Sequence, residues 1–354
     1  MIKTIFDITE FGAVGDGITN DTAAVQAALD AAAECSGCVT VPPGRYLVGR
    51  LNLHGRGVSL QGVSAWTYRN DGASVFLLAD EHTDCMIDVS GAFGCAIRGL
   101  CLDGCRLGNQ IHGIKLYWDE YNGGGEEDTP TIDDCRIGNF SGDGVHFEHV
   151  WCFSVRHSML HHNGGAGLYM DGWDAFILDN WFSANRGGGF MGGAQATSIT
   201  FTGNRIEWNQ IGGIVIRRGT AINLTGNYFD RSFGPGLRLG GGEGTMKNVT
   251  VTGNVFHRNG AYNSGKELAE TEACHVLMDR VFGTTVCGNT FRAMRGDGAK
   301  GEYSPARGFV LRDCKDCIVK DNALYQGYME EEHLLLGANE QCIIRDNVGR
   351  KLEV

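Results

Sequence analysis

Glu207 and Asp230 make the strongest case for chemistry in this chain, because each closes the same three-residue phrase, "RIE" and "YFD", one repeat apart. Side chains alternate along a strand, so with Ile206 and Phe229 turned inward, their neighbours face outward. The same offsets put Arg136, Met159, Trp181, Arg205, Tyr228 and Val255 in one outer column, and Gly138, His161, Ser183, Glu207, Asp230 and His257 in the column beside it. Parallel strands stand about 4.8 Å apart, which makes the two carboxylates neighbours. Carboxylates at that distance repel when both are charged, so one is pushed toward its protonated form and the pair divides into an acid and a base or nucleophile. Cleavage of a glycosidic bond needs that division. His161 borders the pair as a proton shuttle, while Trp181, Arg205 and Tyr228 offer a ring face and a cation to a sugar. The same residues also read as surface carboxylates salt-bridged to Arg205 or Arg231.

A second outer column follows the corner glycines Gly144, Gly167, Gly189, Gly213 and Gly236. It contains His146, Tyr169, Met191, Val215 and Arg238, with Glu148, Asp171, Arg217, His149, Asp174 and Arg218 close by. Enzymes that epimerise or eliminate a uronic acid neutralise its carboxylate with Arg or Ca²⁺ and remove the C5 proton with a nearby base. Arg217, Arg218 and Arg238, with Tyr169 or His146, match that requirement, and Asp171 stands beside them as a substrate-binding group. A solvated ion-pair network is the other reading of this column.

These columns exist only if the chain is a solenoid, and the repeat says that it is. The phrases "TIDDCRIGN", "SVRHSMLHHN", "FILDNWFSAN", "ITFTGNRIEWN", "NLTGNYFDRS" and "VTVTGNVFHRN" align Ile137, Leu160, Phe182, Ile206, Phe229 and Phe256 at steps of 23, 22, 24, 23 and 27 residues. A fixed period in the twenties marks units that cannot bury their apolar side alone. Short β-branched and aromatic runs between Gly and Asn are strands, and the LxxLxL phrase of leucine-rich repeats is missing. The fold class is therefore all-β, a single-stranded parallel β-helix. One domain spans 1–354, with a cap and first strands in 1–48 and the most regular coils in 131–256. Asn180, Asn204, Asn227, Asn254, Asn289, Asn322 and Asn347 recur at one corner, where stacked amides bond along the solenoid. The glycines are expected at tight corners that need positive φ. "SAWTYRNDG", "WDEYNGGGEEDTP", "AYNSGKELAETEA" and "AMRGDGAKGEYSPA" read as loops, the second placed to rim a cleft.

At the N-terminus, Asp21 or Thr22 caps a helix running to about Glu34, with Val25, Leu29 and Ala32 on its apolar stripe. Covering the first coil keeps its strand edges from pairing with another chain. "GAVGDG" lacks the spacing of a nucleotide loop and reads as the turn that brings this helix onto the coil. The whole opening, "FDITEFGAVGDGITNDTAAVQAALDAA…GCVTVPPGRYLV", resembles that of the pectate-lyase-like superfamily of right-handed β-helix proteins, closely over Phe6 to Val48 and in general form beyond. The resemblance implies a right-handed helix with an N-terminal cap and a carbohydrate substrate. Related proteins include polygalacturonase-like hydrolases, polysaccharide lyases, alginate epimerases, difructose-anhydride-forming fructotransferases and viral tailspikes. The paired-Asp and Gly-His-Gly phrases of the first group and the Asp-Pro-His-Glu phrase of the epimerases are absent, and no catalytic residue is carried across.

Composition narrows the partners. The 42 acidic residues outnumber 30 Lys and Arg, for a formal charge of -12, which disfavours a nucleic-acid backbone. No apolar run reaches membrane-spanning length. "MIKTIFDITEFGAVGDG" has no apolar signal core, and thirteen cysteines in a chain of this size read as reduced thiols, so a cytoplasmic location is expected unless a leader was trimmed. Cys35/Cys38 and Cys314/Cys317 have CxxC spacing without a four-ligand set, so no metal is expected there. The expected activity is glycoside hydrolysis on an oligo- or polysaccharide with Glu207, Asp230 and His161 as catalytic residues. Lyase or epimerase chemistry, fructosyl transfer and a tailspike-like structural role are the alternatives. No cofactor is expected, apart from Ca²⁺ if the reaction is elimination, and side-by-side packing of solenoids suggests a homo-oligomer, a trimer first.

Overall fold

The computed structural model describes residues 3–63, 66, 72–121, 123–261, 268–294 and 304–353. The loops expected at "SAWTYRNDG" and "AMRGDGAKGEYSPA" fall mostly outside these residues, and "AYNSGKELAETEA" does so in part. The described chain is a right-handed parallel β-helix with little helix. It divides into two compact units, 1–176 and 177–354. None of the described helices is long and apolar enough to cross a membrane.

In the first unit the first coil contributes Ile5–Asp7, Asp16–Asn20 and the cap helix, and each later coil contributes to three parallel ladders. One runs Ile5–Asp7, Cys38–Thr40, Ser59–Gln61, Ala96–Arg98, Thr131–Asp133 and on to Ser154 through Arg156. The next joins Gly44–Val48, Ser74–Leu78, Cys101–Asp103, Arg136–Gly138 and Met159–His161. The third joins Leu51–Asn52, Cys85–Asp88, His112–Tyr117 and Val145–Arg156. The cap helix spans Thr22–Ala33 and buries Val25, Ala28, Leu29 and Ala32. Its Gln26 side chain exchanges hydrogen bonds with the Asn52 backbone, which satisfies one strand edge. Asp21 makes no side-chain cap bond. Its carboxylate instead accepts from the Val14 and Gly15 amides at 2.7 and 3.2 Å, closing the "GAVGDG" turn.

The second unit repeats the plan. Trp181–Ser183, Arg205–Glu207, Tyr228–Asp230, Val255–His257, Thr290–Arg292, Ala323–Leu324 and Val348–Gly349 form one ladder. Phe256 pairs with Phe291 and Phe291 with Leu324, so both long intervals are excursions that rejoin the next coil in register. The inward phenylalanines stack with nearly parallel rings, Phe229 on Phe256 at 4.5 Å and Phe256 on Phe291 at 4.8 Å. The asparagine corner is a continuous buried ladder: each side-chain oxygen from Asn204 to Asn347 accepts both the backbone and the side-chain amide of the asparagine one coil before. The residue before each of them, Asp179, Gly203, Gly226, Gly253, Gly288, Asp321 and Asp346, is left-handed, which turns the corner. The other glycine column has a different cause from the one expected. Gly144, Gly189 and Gly213 do not have positive φ; a Cβ on each would lie 2.4 to 2.9 Å from a carbonyl oxygen of the next coil. They are glycines because two backbones touch there.

Candidate active site

The second outer column is where the first unit gathers its chemistry. Strand His112–Tyr117 sets Lys115 opposite His146 and Tyr117 opposite Glu148. The Gly144 and Val145 amides donate to the carbonyls of Ala166 and Gly167, which carries the register one coil further and makes Asp171 the neighbour of Glu148. Two acidic residues thus sit on adjacent parallel strands, whose backbones lie about 4.8 Å apart along the solenoid. His146 stacks on Tyr169 with ring centroids 4.6 Å apart, and its Nε2 lies 3.1 Å from Glu148 Oε1. The Tyr121 hydroxyl donates to Asp171 at 2.6 Å. Tyr121 comes from the "WDEYNGGGEEDTP" segment and packs between His149 and Trp173 at 4.2 and 5.3 Å.

The indoles around this pair are held by two acids, Asp128 buried and Asp174 half-buried. Asp128 accepts from Trp118 Nε1 at 2.8 Å and from the Trp151 amide at 2.7 Å, while Trp151 Nε1 donates to Asp174 at 3.0 Å. Burial raises the Asp128 carboxyl above the usual range, against the pull of these donors. Burial also lifts the Tyr169 hydroxyl to about 12, helped by Asp171 and Glu148. His112 is pulled down to about 4, first by burial and then by His146. Gly172 makes the strand possible: a Cβ there would meet the Val150 carbonyl at 2.0 Å. The Glu148 side chain remains 33% exposed, and Tyr117 and Tyr121 are among the exposed large rings of the chain.

The second unit places Glu207 directly opposite Asp230 and Arg205 opposite Tyr228, as the repeat requires. Both acids are buried all the same, at 5% and 1% exposed. Glu207 takes Trp181 Nε1 and Arg205 Nε, each at 2.8 Å. Asp230 is gripped by Arg258 Nε and Nη2 at 3.1 and 3.0 Å and by Arg231, with His257 at 3.6 Å. Burial raises its carboxyl, and the two arginines oppose that rise. Arg205 lies over Tyr228, whose hydroxyl reaches His257 at 3.1 Å. The side chains expected to receive substrate therefore hold Glu207 and His257 instead. Arg231 and Arg258 reach Asp230 from left-handed positions just past the strands, a placement strand alternation does not foresee.

The remaining sequence-derived candidates are separate. His161, in the first unit, is buried and pulled down to about 3 by burial, its Nδ1 facing His162 Nδ1 at 2.9 Å. Arg238, in the second, bonds Glu272 at 2.6 Å, and the Arg217 carbonyl accepts the Gly242 amide. Near them Arg218 and Lys247 line a cleft of about 360 Å³ with Gln195, Thr197 and Thr245. Tyr121 and His112 were not singled out from sequence. The first lies in a loop with no periodicity to follow, and the second is one of many outward residues until the fold brings it beside Asp143. All thirteen cysteines are free thiols, and Cys314 and Cys317 are buried.

Comparison with known proteins follows the fold. The family described as right handed beta helix region matches residues 85–256 and 193–350, and the one described as rhamnogalacturonase A/epimerase, pectate lyase-like, matches 5–80. Mannuronan C5-epimerase AlgE6 of Azotobacter vinelandii is 31% identical over 177 residues, covering 47% of this chain and 20% of that protein. The chain thus spans about a fifth of that relative's length. The solved A-module of AlgE6 superposes with a TM-score of 0.68 at 20% identity, over 96% of this chain and 100% of that one. The catalytic unit of a GH87 α-1,3-glucanase from Streptomyces thermodiastaticus gives 0.72 at 17% identity, over 98% of this chain and 70% of that one.

Proposed function

The chain belongs to the right-handed β-helix family, and from that premise we propose that it is a polysaccharide-active enzyme that cleaves glycosidic bonds with Glu148 and Asp171. The observation that carries the proposal is the pairing of these two acids on adjacent strands, Glu148 partly open to solvent and Asp171 under the Tyr121 hydroxyl. Neighbouring strands allow the carboxyl separation of about 5 Å that suits a retaining mechanism, in which one group attacks the anomeric carbon and the other protonates the departing oxygen. Asp171 takes the first role, its charge steadied by Tyr121, and Glu148 the second, with His146 Nε2 beside it. Tyr117, Tyr121 and the indoles supply ring faces for sugars. This site replaces Glu207 and Asp230 in our reading, because Glu148 is 33% exposed, whereas Glu207 and Asp230 are both buried and Asp230 is gripped by Arg258 and Arg231.

C5 epimerisation of a uronate is the second reading, favoured by the sequence likeness to mannuronan C5-epimerases. It ranks lower for two reasons. The Asp-Pro-His-Glu phrase is absent, and a polyuronate at this face would meet Asp143, Glu148, Asp171 and Asp174, while Lys115 is already bonded to Asp84 at 2.8 Å. A neutral glycan meets no such repulsion.

The test is incubation with neutral glucans, uronic-acid polymers and fructans in deuterated water, followed by mass and NMR analysis. One water added per cut, lost in both Glu148→Gln and Asp171→Asn, supports the proposal. Deuterium at C5 without chain cleavage, or unsaturated ends, replaces it with epimerase or lyase chemistry. Ca²⁺ dependence is read in the same panel, and light scattering checks the expected trimer.

A further inference from the structure

We propose that His112, Asp143 and His146 form a binding site for one divalent transition-metal ion of the zinc class. One nitrogen of each imidazole and one Asp143 oxygen all lie within 4.8 Å of one another, the only such set of three among the described residues. Asp143 Oδ2 stands 3.4 Å from His112 Nδ1 and 2.6 Å from His146 Nδ1, and the two rings are 4.1 Å apart. Ligand atoms bound to zinc at about 2.0–2.2 Å lie roughly 3.3–3.5 Å from each other in a tetrahedron. The first distance already fits, and the second needs to open by less than about 1 Å.

The surroundings hold the ligands in place. Asp143 Oδ1 accepts the Ala166 amide at 2.5 Å, which fixes the carboxylate and turns Oδ2 to the imidazoles. His146 is clamped in plane by Tyr169, and its outer nitrogen faces Glu148 Oε1 at 3.1 Å. A carboxylate on the far nitrogen is the usual support of a metal-bound histidine. Two imidazoles select zinc, cobalt, nickel or copper over Ca²⁺ and Mg²⁺, which prefer oxygen alone. The Asp143 amide now donates to His112 Nδ1 at 3.0 Å, so loading at that nitrogen costs one backbone hydrogen bond. That cost, with three protein ligands instead of four, makes the site a moderate binder with an open position.

Binding itself does not depend on the hydrolase reading; only its consequence does, since the ion would fix the imidazole that faces Glu148. The experiment uses the full chain stripped with chelator, titrated with ZnCl₂ by calorimetry and with CoCl₂ by visible spectroscopy. One ion per chain is expected, with a rise in melting temperature and cobalt d–d bands free of a thiolate charge-transfer band. Asp143→Ala should weaken zinc at least tenfold, and Glu148→Gln, which removes only the support, by about 10- to 100-fold. Failure of the folded wild type to saturate at one ion, a thiolate band showing cysteine ligation, or unchanged affinity in Asp143→Ala overturns the proposal. Melting and cobalt spectra of the wild type decide the matter even if a variant does not fold. None of these readouts involves glycan turnover, so an inactive enzyme that binds zinc refutes the hydrolase reading alone.

Discussion

Replacing Asn227 by Ala tests whether the asparagine ladder supports the second unit or merely decorates it. Asn227 is 1% exposed. Its Oδ1 accepts the Asn204 backbone and side-chain amides at 3.0 and 2.9 Å, and its Nδ2 donates to Phe201 O and to Asn254 Oδ1, both at 3.0 Å. Truncation takes the acceptor from a buried backbone N–H and a donor from a buried carbonyl, and it breaks the ladder in both directions. Each buried polar group left unpaired costs about 1–3 kcal/mol, so the change should cost about 3 kcal/mol or more. Asn347→Ala removes an equivalent amide at a half-buried rung where water can substitute, and should cost about 1 kcal/mol. Native-state hydrogen exchange suits a solenoid better than a single melting point, because distant coils need not unfold together. Protection of the Asn204 amide should fall roughly a hundredfold or more in Asn227→Ala. If the two variants differ by less than about 1 kcal/mol, the ladder is not a buried hydrogen-bond chain and the reasoning is wrong.

Three further outcomes follow from the same geometry. Gly213→Ala sets a Cβ 2.4 Å from the Gly236 carbonyl, whereas Gly226→Ala meets nothing within 4 Å and bears only the strain of φ +68°. Denaturant unfolding should therefore show a loss of about 1 kcal/mol for Gly226→Ala and about 3 kcal/mol for Gly213→Ala. His275, fully buried with Nε2 on the Gly327 carbonyl at 3.1 Å, is held down to about 3 by burial. Its folded value lies below its unfolded one, so its neutral form contributes fully above about pH 6.5, and stability is lost as pH falls toward 3, by up to about 1.4 kcal/mol per pH unit. His275→Phe should flatten that slope in acid unfolding curves, and an unchanged slope would exclude His275 as its source. In steady-state kinetics on the glycan identified by product analysis, Asp171→Asn and Glu148→Gln should each lower kcat by about 100- to 10,000-fold, and Tyr121→Phe by less. The same substitutions at Glu207 and Asp230 test the other pair, and a collapse of kcat there with activity retained at Glu148 and Asp171 would move the site.

Much of this molecule was legible because a solenoid writes its geometry into a period. The steps between Ile206, Phe229 and Phe256 became the paired core column, and the Asn180-to-Asn347 series became the ladder, since both rest on contacts between equivalent places in successive coils. The pairing of Glu207 with Asp230 followed from the same rule. Alternation says only which way a side chain leaves the backbone. Whether water then reaches it depends on what the turns bring over the face. Arg231 and Arg258 close Asp230 from a left-handed position that recurs one residue past the strand from Asn139 to Arg258 but lies outside strand alternation, and Tyr121 arrives at Asp171 from a loop fifty residues earlier, with no period to follow. The glycine column was visible as spacing, but its cause, backbone against backbone, needed the distance between coils. Sequence alone thus determined the fold, the core and the register, which depend on local repetition. The salt bridges of Glu207 to Arg205 and Asp230 to Arg231 are among the sequence readings, but tertiary structure alone decided how deeply each carboxylate is buried and that His112 meets Asp143 and His146, because burial depends on what turns and loops bring over a face.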